Sequence, residues 1–166
     1  MSSSRYAPAV RVATLTSLQI RKRCSADDRF IGRLAAQAFA EYDGQPALTM
    51  QRLVRRGTTW VAWRGDVPLG FACVHPLNPA SADLCAIAVE EHARGLGIGR
   101  ALLAHVELSL AGVGIREVSL HTAHANLSAL SLFLKCGFRI ERRMPRFYRG
   151  VYEACAMTKS VGSPRR

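Results

Sequence analysis

Three glycines fall within five residues in the run Arg94-Gly95-Leu96-Gly97-Ile98-Gly99-Arg100. The run follows a nearly all-apolar stretch, Leu84 to Val89, and opens a segment, Ile98 to Leu110, whose Leu102, Leu103, Val106 and Leu110 recur at helical spacing. Glycine lets a backbone approach an anion closely. The N–H groups of a first helical turn have no partner inside the helix, and the helix dipole adds attraction. Arg94 and Arg100 bring positive charge to the rim. A turn of this kind suits a phosphate or pyrophosphate; its plain alternative is a tight connection with no ligand.

The glycine order is not the G-x-G-x-x-G of a dinucleotide-binding βαβ unit, and no Gly-Lys-Ser or Gly-Lys-Thr is present for a P-loop. A second candidate group is His121, at the end of the strand-like Val118-Ser119-Leu120-His121. Imidazole suits proton removal near neutral pH, although a polar residue on a half-exposed strand is equally ordinary. His124 lies close by, while His75, His92 and His105 read as surface or loop residues. Arg142, Arg143, Arg146 and Arg149 surround Phe147-Tyr148. Basic residues interleaved with aromatics could grip a carboxylate, an acidic peptide or RNA, or form a solvated loop.

The elements that must position these groups read as one mixed α/β domain. Leu18 to Arg23 alternates as a half-buried strand. Capping residues at Ser25 to Asp28 precede a helix carrying Phe30, Ile31, Leu34, Ala38 and Phe39, which ends near Asp43-Gly44, and a second helix runs from Leu48 to Arg56. Thr58 to Trp63 and Val67 to Val74 form a hairpin about Arg64-Gly65-Asp66, and Leu84 to Val89 is a central strand. After the Ile98–Leu110 helix come strand Val118–His121, helix Asn126–Lys135 and a closing pair, Phe138–Arg143 and Tyr152–Met157. Residues 1–17 are expected to be a flexible tail, 18–160 a single domain and 161–166 a disordered tail.

Composition narrows the function classes. The 166 residues suffice for one domain with a core, and 49% hydrophobic with 21% charged residues is ordinary for a soluble globular chain. No apolar run approaches the ~20 residues that cross a bilayer. A net charge of +11 favours anionic partners and disfavours cationic substrates such as polyamines. Five scattered cysteines without CxxC spacing argue for a reducing compartment, with neither zinc site nor disulfide framework. With no apolar leader, the expected location is cytoplasmic.

A specific resemblance joins these features. Ile87-Ala88-Val89 followed by Arg94 to Leu103 resembles the signature segment of the GNAT superfamily of N-acetyltransferases, whose Arg/Gln-x-x-Gly-x-Gly/Ala pattern is met by Arg94, Gly97 and Gly99. Asn126, Ala129, Phe133, Gly137 and Phe138 resemble the family's Asn-x-x-Ala helix ending in Gly-Phe. The text around Leu120-His121-Thr122 is similar to protein N-terminal acetyltransferases; some relatives carry His there, and ribosomal-protein alanine acetyltransferases carry Glu.

The resemblance implies the GNAT fold: a mixed, mostly antiparallel sheet splayed between its fourth and fifth strands and flanked by about four helices. It implies acetyl-CoA as co-substrate, with no metal. Gly95, Leu96, Gly97, Ile98, Gly99 and Arg100 would bind the pyrophosphate through backbone amides. Ile87, Ala88 and Val89 would pair with the pantetheine arm, and Asn126 and Phe133 would line it. His121 would be the base. Many relatives place Tyr where this chain has Phe133, to protonate the departing thiolate. Phe lacks that donor. Ser131, two residues along the helix, is expected to face away, leaving Tyr148 or Cys136 as stand-ins. The reading that follows is an N-acetyltransferase acting on a primary amine, a protein N-terminus or a small molecule. A weakly catalytic acyl-CoA sensor and a ribosome- or RNA-associated module are the other readings, nucleic acid being the less expected partner. A homodimer is compatible with all three.

Overall fold

The structure is a computed structural model that describes residues 17–162. Except for Ser17, the expected N-terminal tail lies outside the described residues, as does the C-terminal segment after Gly162. The packed chain reaches one residue past the expected boundary: Val161 is buried, and its N–H donates to the Arg116 carbonyl at 2.9 Å.

Seven strands and four α-helices alternate as β1 (Leu18–Lys22), α1 (Asp28–Ala38), α2 (Pro46–Arg56), β2 (Thr58–Arg64), β3 (Val67–Asn78), β4 (Ser81–Val89), α3 (Ile98–Gly112), β5 (Glu117–Ala123), α4 (Leu127–Lys135), β6 (Arg139–Tyr148) and β7 (Tyr152–Ser160). The strands form one sheet in the order β1-β2-β3-β4-β5-β7-β6. Every pairing is antiparallel except β4 with β5. No described helix is long and apolar enough to cross a membrane.

Two apolar layers sandwich the sheet. Leu102, Leu103, Val106 and Leu110 of α3 pack with Leu84, Val118, Leu120 and Met157 on one face. On the other face, Ile31, Leu34 and Ala35 of α1 and Met50 and Val54 of α2 pack against Val61, Phe71 and Cys73. Burying each large aliphatic side chain stabilises by about 1.5–3 kcal/mol before ordering costs. Helix α2 begins earlier than the apolar spacing suggests, because Pro46 occupies its first turn, where a missing N–H costs nothing.

The β4–β5 junction creates the site. Their parallel pairing covers only Ser81–Asp83 against Glu117–Ser119. Beyond it, the β5-side edge of β4 has no strand partner. A bulge explains the separation. Leu84 opposes Val74 and Ala86 opposes Cys73, so Cys85 is an extra residue on β4. Ahead of the bulge, Ala82 and Leu84 pack on the α3 side, while after it Ala86 and Ala88 pack on the α1–α2 side. The extra residue reverses the faces and bends the strand away from β5.

One part-buried ion pair, with Asp27 buried and Arg21 exposed, ties β1 to the start of α1. The Asp27 carboxylate is 3% exposed as a residue and accepts from Arg21 Nη1 at 2.8 Å and Nη2 at 3.0 Å, and from the Cys24 amide at 2.8 Å. Burial pushes its pKa up, but the Arg21 and Cys24 hydrogen bonds outweigh that and hold it below the usual carboxylate range. A depressed pKa stabilises the fold above the unfolded-state value of about 3.9, and that contribution disappears as pH falls through the folded value. Asp27→Asn is therefore expected to cost about 1.5–3 kcal/mol at pH 7. Denaturant melts should show the mutant and native curves converging as pH drops below 4.

Candidate active site

Helix α3 begins at Gly97, whose φ of 79° is left-handed, and Gly95 has φ 75°. The first helical hydrogen bond runs from the Ala101 N–H to the Gly97 carbonyl at 3.0 Å. Among the described residues, the amides from 95 to 100 have no backbone acceptor. A Cβ built on Gly95 or Gly97 would meet nothing within 4 Å, so the space beside these amides is open and it is the backbone angle that demands glycine. The first turn of α3 holds no acidic residue. Arg94 Nε donates to the Val89 carbonyl at 3.1 Å. This bond pins the loop to the end of β4 and fixes a guanidinium at the rim, and it also occupies a carbonyl expected to serve a ligand. The unpartnered amides, open space and flanking arginines fit a diphosphate.

From this loop a groove of ≈ 900 Å³ runs between Ile87, Ala88 and Val89 of β4 and the length of α4. Across the β4–β5 split lies a cavity of ≈ 370 Å³ on the α1–α2 side. Phe39, Tyr42, Ile87, Asn126, Ala129 and Phe133 line both chambers, so the two adjoin. Asn126 caps α4: its side-chain oxygen accepts from the Ala129 N–H at 3.2 Å. Phe133, 4% exposed, is held edge-on to Phe138 at 5.7 Å. Ser131 lines the outer groove too. Helical spacing from Phe133 set it on the far side, but the groove wraps around α4, so both residues reach it.

His121, alone among the five histidines, lines the inner cavity. It sits one residue beyond the buried Leu120 and so projects from the opposite face of β5. Its ring stacks on Phe147, centroids 4.9 Å apart and planes 10° from parallel. Phe147 meets Tyr148 at 4.9 Å, and Tyr148 meets Tyr42 at 5.6 Å, giving an aromatic wall from β5 to the α1–α2 loop. An irregularity in β6 produces this wall. Between the pairs Met144–Ala154 and Tyr148–Tyr152, three β6 residues oppose one on β7, and Arg146 turns to φ 55°. Three of the other four histidines are engaged elsewhere: His124 Nδ1 lies 3.6 Å from Cys155 Sγ, His75 Nδ1 lies 3.2 Å from the Arg56 carbonyl oxygen, and His105 packs on Trp60.

Burial pushes the Tyr148 phenol up to about 12, with Asp83 adding repulsion, so it stays protonated throughout the neutral range. Burial and Asp83 likewise push the Cys85 thiol up to about 12, which leaves that residue a poor nucleophile. Cys136, half-buried at the end of α4, lines neither chamber. Among the described residues, no cluster of His, Cys, Asp and Glu could hold a metal. The wall residues Phe39, Tyr42 and Met50 gave no sequence signal beyond their helical spacing. Cys85 read as one more apolar strand residue.

A split sheet with an amide-lined loop at its edge and an imidazole beyond the split is an arrangement that suits acyl transfer. The family model described as the acetyltransferase (GNAT) family matches residues 26–138, and the chain belongs to that family. It is 31% identical to a mycothiol acetyltransferase from Geodermatophilus obscurus, over 79% of this chain and 47% of that protein. The chain spans about half the length of the curated relatives it matches. Among solved structures, it superposes on an IAA acetyltransferase from Bacillus cereus with a TM-score of 0.74 and 25% identity, covering 87% of this chain and 100% of that one. A GNAT acetyltransferase from Elizabethkingia anophelis with acetyl-CoA bound shares the fold at a TM-score of 0.72 and 19% identity, covering 87% and 98%.

Proposed function

We propose that this chain transfers an acetyl group from acetyl-CoA to a primary amine by direct attack with both substrates bound. The observation that carries the reading is that the groove at the α3 amides adjoins the cavity holding His121 and shares six lining residues with it. The thioester supplies an activated acyl carbon. The amides of Gly95 through Arg100 and the charges of Arg94 and Arg100 hold the diphosphate, while Ile87, Ala88, Asn126 and Phe133 guide the connecting arm through the split. The adjoining chambers bring donor and acceptor to one place, which alone supplies several kcal/mol. His121 takes a proton from the ammonium form of the amine; the freed lone pair attacks the acyl carbon, the carbon–sulfur bond breaks, and the nitrogen's second proton passes to solvent. Five free cysteines among the described residues suit a reducing compartment, and we place the reaction in the cytoplasm.

Tyr148 assists the departing sulfur as a hydrogen-bond donor. With its pKa near 12, it cannot hand its proton fully to a thiolate of pKa about 8.5, so solvent completes the protonation. Tyr148→Phe is therefore expected to lower kcat about tenfold with little change in CoA affinity. Adding Phe133→Tyr to that variant, which puts a phenol on the same cavity, should restore much of the loss. Stopped-flow thiol release measures both. An unchanged kcat in Tyr148→Phe removes this role. The reading as a whole is tested by thiol release from acetyl-CoA across a panel of amines. Release that no amine accelerates, despite tight CoA binding, would make the chain a sensor instead of a transferase.

A further inference from the structure

Four arginines surround the aromatic wall, but they are not equivalent. Arg142 and Arg143 pair with consecutive β7 residues, Ala156 and Cys155, and so project from opposite faces of β6. Arg146 is exposed within the β6 irregularity. Arg149 alone of the four lines the inner cavity.

Arg149 is also held in a backbone conformation that an L residue with a Cβ adopts unwillingly. Its φ is 52° and that of Gly150 is 68°, while the Val151 N–H donates to the Tyr148 carbonyl at 3.0 Å. Two successive left-handed residues closing a hairpin are the pattern of a type I′ turn, where Asn, Asp or Gly is favoured at the first position. An arginine there gives up local stability, and such strain gathers at binding sites. Among the described residues, no carboxylate lies within ion-pair distance of Arg149. The one carboxylate lining the cavity, Asp43, has an oxygen occupied by the Gln45 N–H at 2.8 Å. Arg149, an exposed residue, therefore brings a cation with no ion pair among the described residues to the chamber that also contains His121. Its ≈ 370 Å³ is of small-molecule size.

We propose that Arg149 selects small acceptors that carry a carboxylate beside the amine, of the amino-acid type, by pairing with the carboxylate while the amine lies at His121. This rests on the transferase reading above. A guanidinium recognises a carboxylate through two parallel N–H···O bonds, which also orients the amine.

The test compares L-amino acids with their own α-amides as acceptors, in the native protein and in Arg149→Gly and Arg149→Asn. The amides keep every side chain and lose only the negative charge. Their amines are also more often neutral, which biases the comparison against the proposal. Native kcat/KM is expected to favour the acids by about tenfold or more, and the ratio should fall to about one in both variants. Arg149→Gly should also melt at a higher temperature than the native protein, because the turn no longer strains a Cβ, so loss of selectivity cannot be attributed to misfolding. Equal native rates on acids and amides, or a preference that survives both substitutions, overturns the proposal and leaves the transferase reading intact. Thiol release that neither series accelerates while another amine does overturns the proposal alone, and release that no amine accelerates removes both.

Discussion

Replacing His121 with Gln is expected to lower kcat/KM by about 10²–10⁴-fold, the usual contribution of a positioned general base, while CoA binds as before. The glutamine preserves a polar planar group against Phe147, so the 4.9 Å stack can persist and the loss reports proton transfer more than repacking. A residual rate remains, because the adjoining chambers still bring the two substrates together. The pH profile separates this role from a structural one. The pH profiles of native kcat/KM and of His121→Gln should differ in shape, the variant following the free-amine fraction alone. A loss smaller than threefold, or an unchanged profile, assigns the proton transfer to another group.

The second large effect is expected at the anion cradle. Gly97→Val places a β-branched side chain at φ 79°, the left-handed residue from which α3 starts. Nothing nearby would clash with the added Cβ. The cost therefore falls on the backbone, at about 1–3 kcal/mol for forcing a sparsely populated conformation. The turn is expected to relax and swing the amides of Ile98 to Arg100 out of alignment, weakening CoA binding by about 10–100-fold. Isothermal titration measures the affinity, and circular dichroism checks that the helix persists. Native-like affinity in a folded Gly97→Val protein would show that the loop does not bind through its left-handed geometry.

The contrast between these two sites explains what could be read in the sequence. The glycine loop was legible because its chemistry is local: three glycines and two arginines lie within seven residues, where a helix starts. The same holds for Asn126, whose cap on Ala129 lies within four residues. The sheet split was expected only through the family resemblance. Its physical cause, the extra residue Cys85, was hidden because a bulged strand and a regular buried strand are both runs of apolar residues. The inner cavity was least legible. Phe147 reaches His121 only because β7 enters the sheet between β5 and β6 and because three β6 residues face one on β7, and neither feature leaves a periodic trace. Strand β6 itself was expected to stop at Arg143, yet it runs to Tyr148 past Pro145. An edge strand tolerates proline at an irregularity where no ladder N–H is required. Likewise, the four arginines read as one basic cluster, whereas backbone geometry assigns only Arg149 to the cavity.

The most direct measurement is calorimetric titration of CoA into the purified chain. The account predicts saturable, one-to-one binding that Gly97→Val weakens and His121→Gln leaves unchanged. No detectable heat or competition with either CoA or acetyl-CoA, from protein that melts cooperatively, would contradict it.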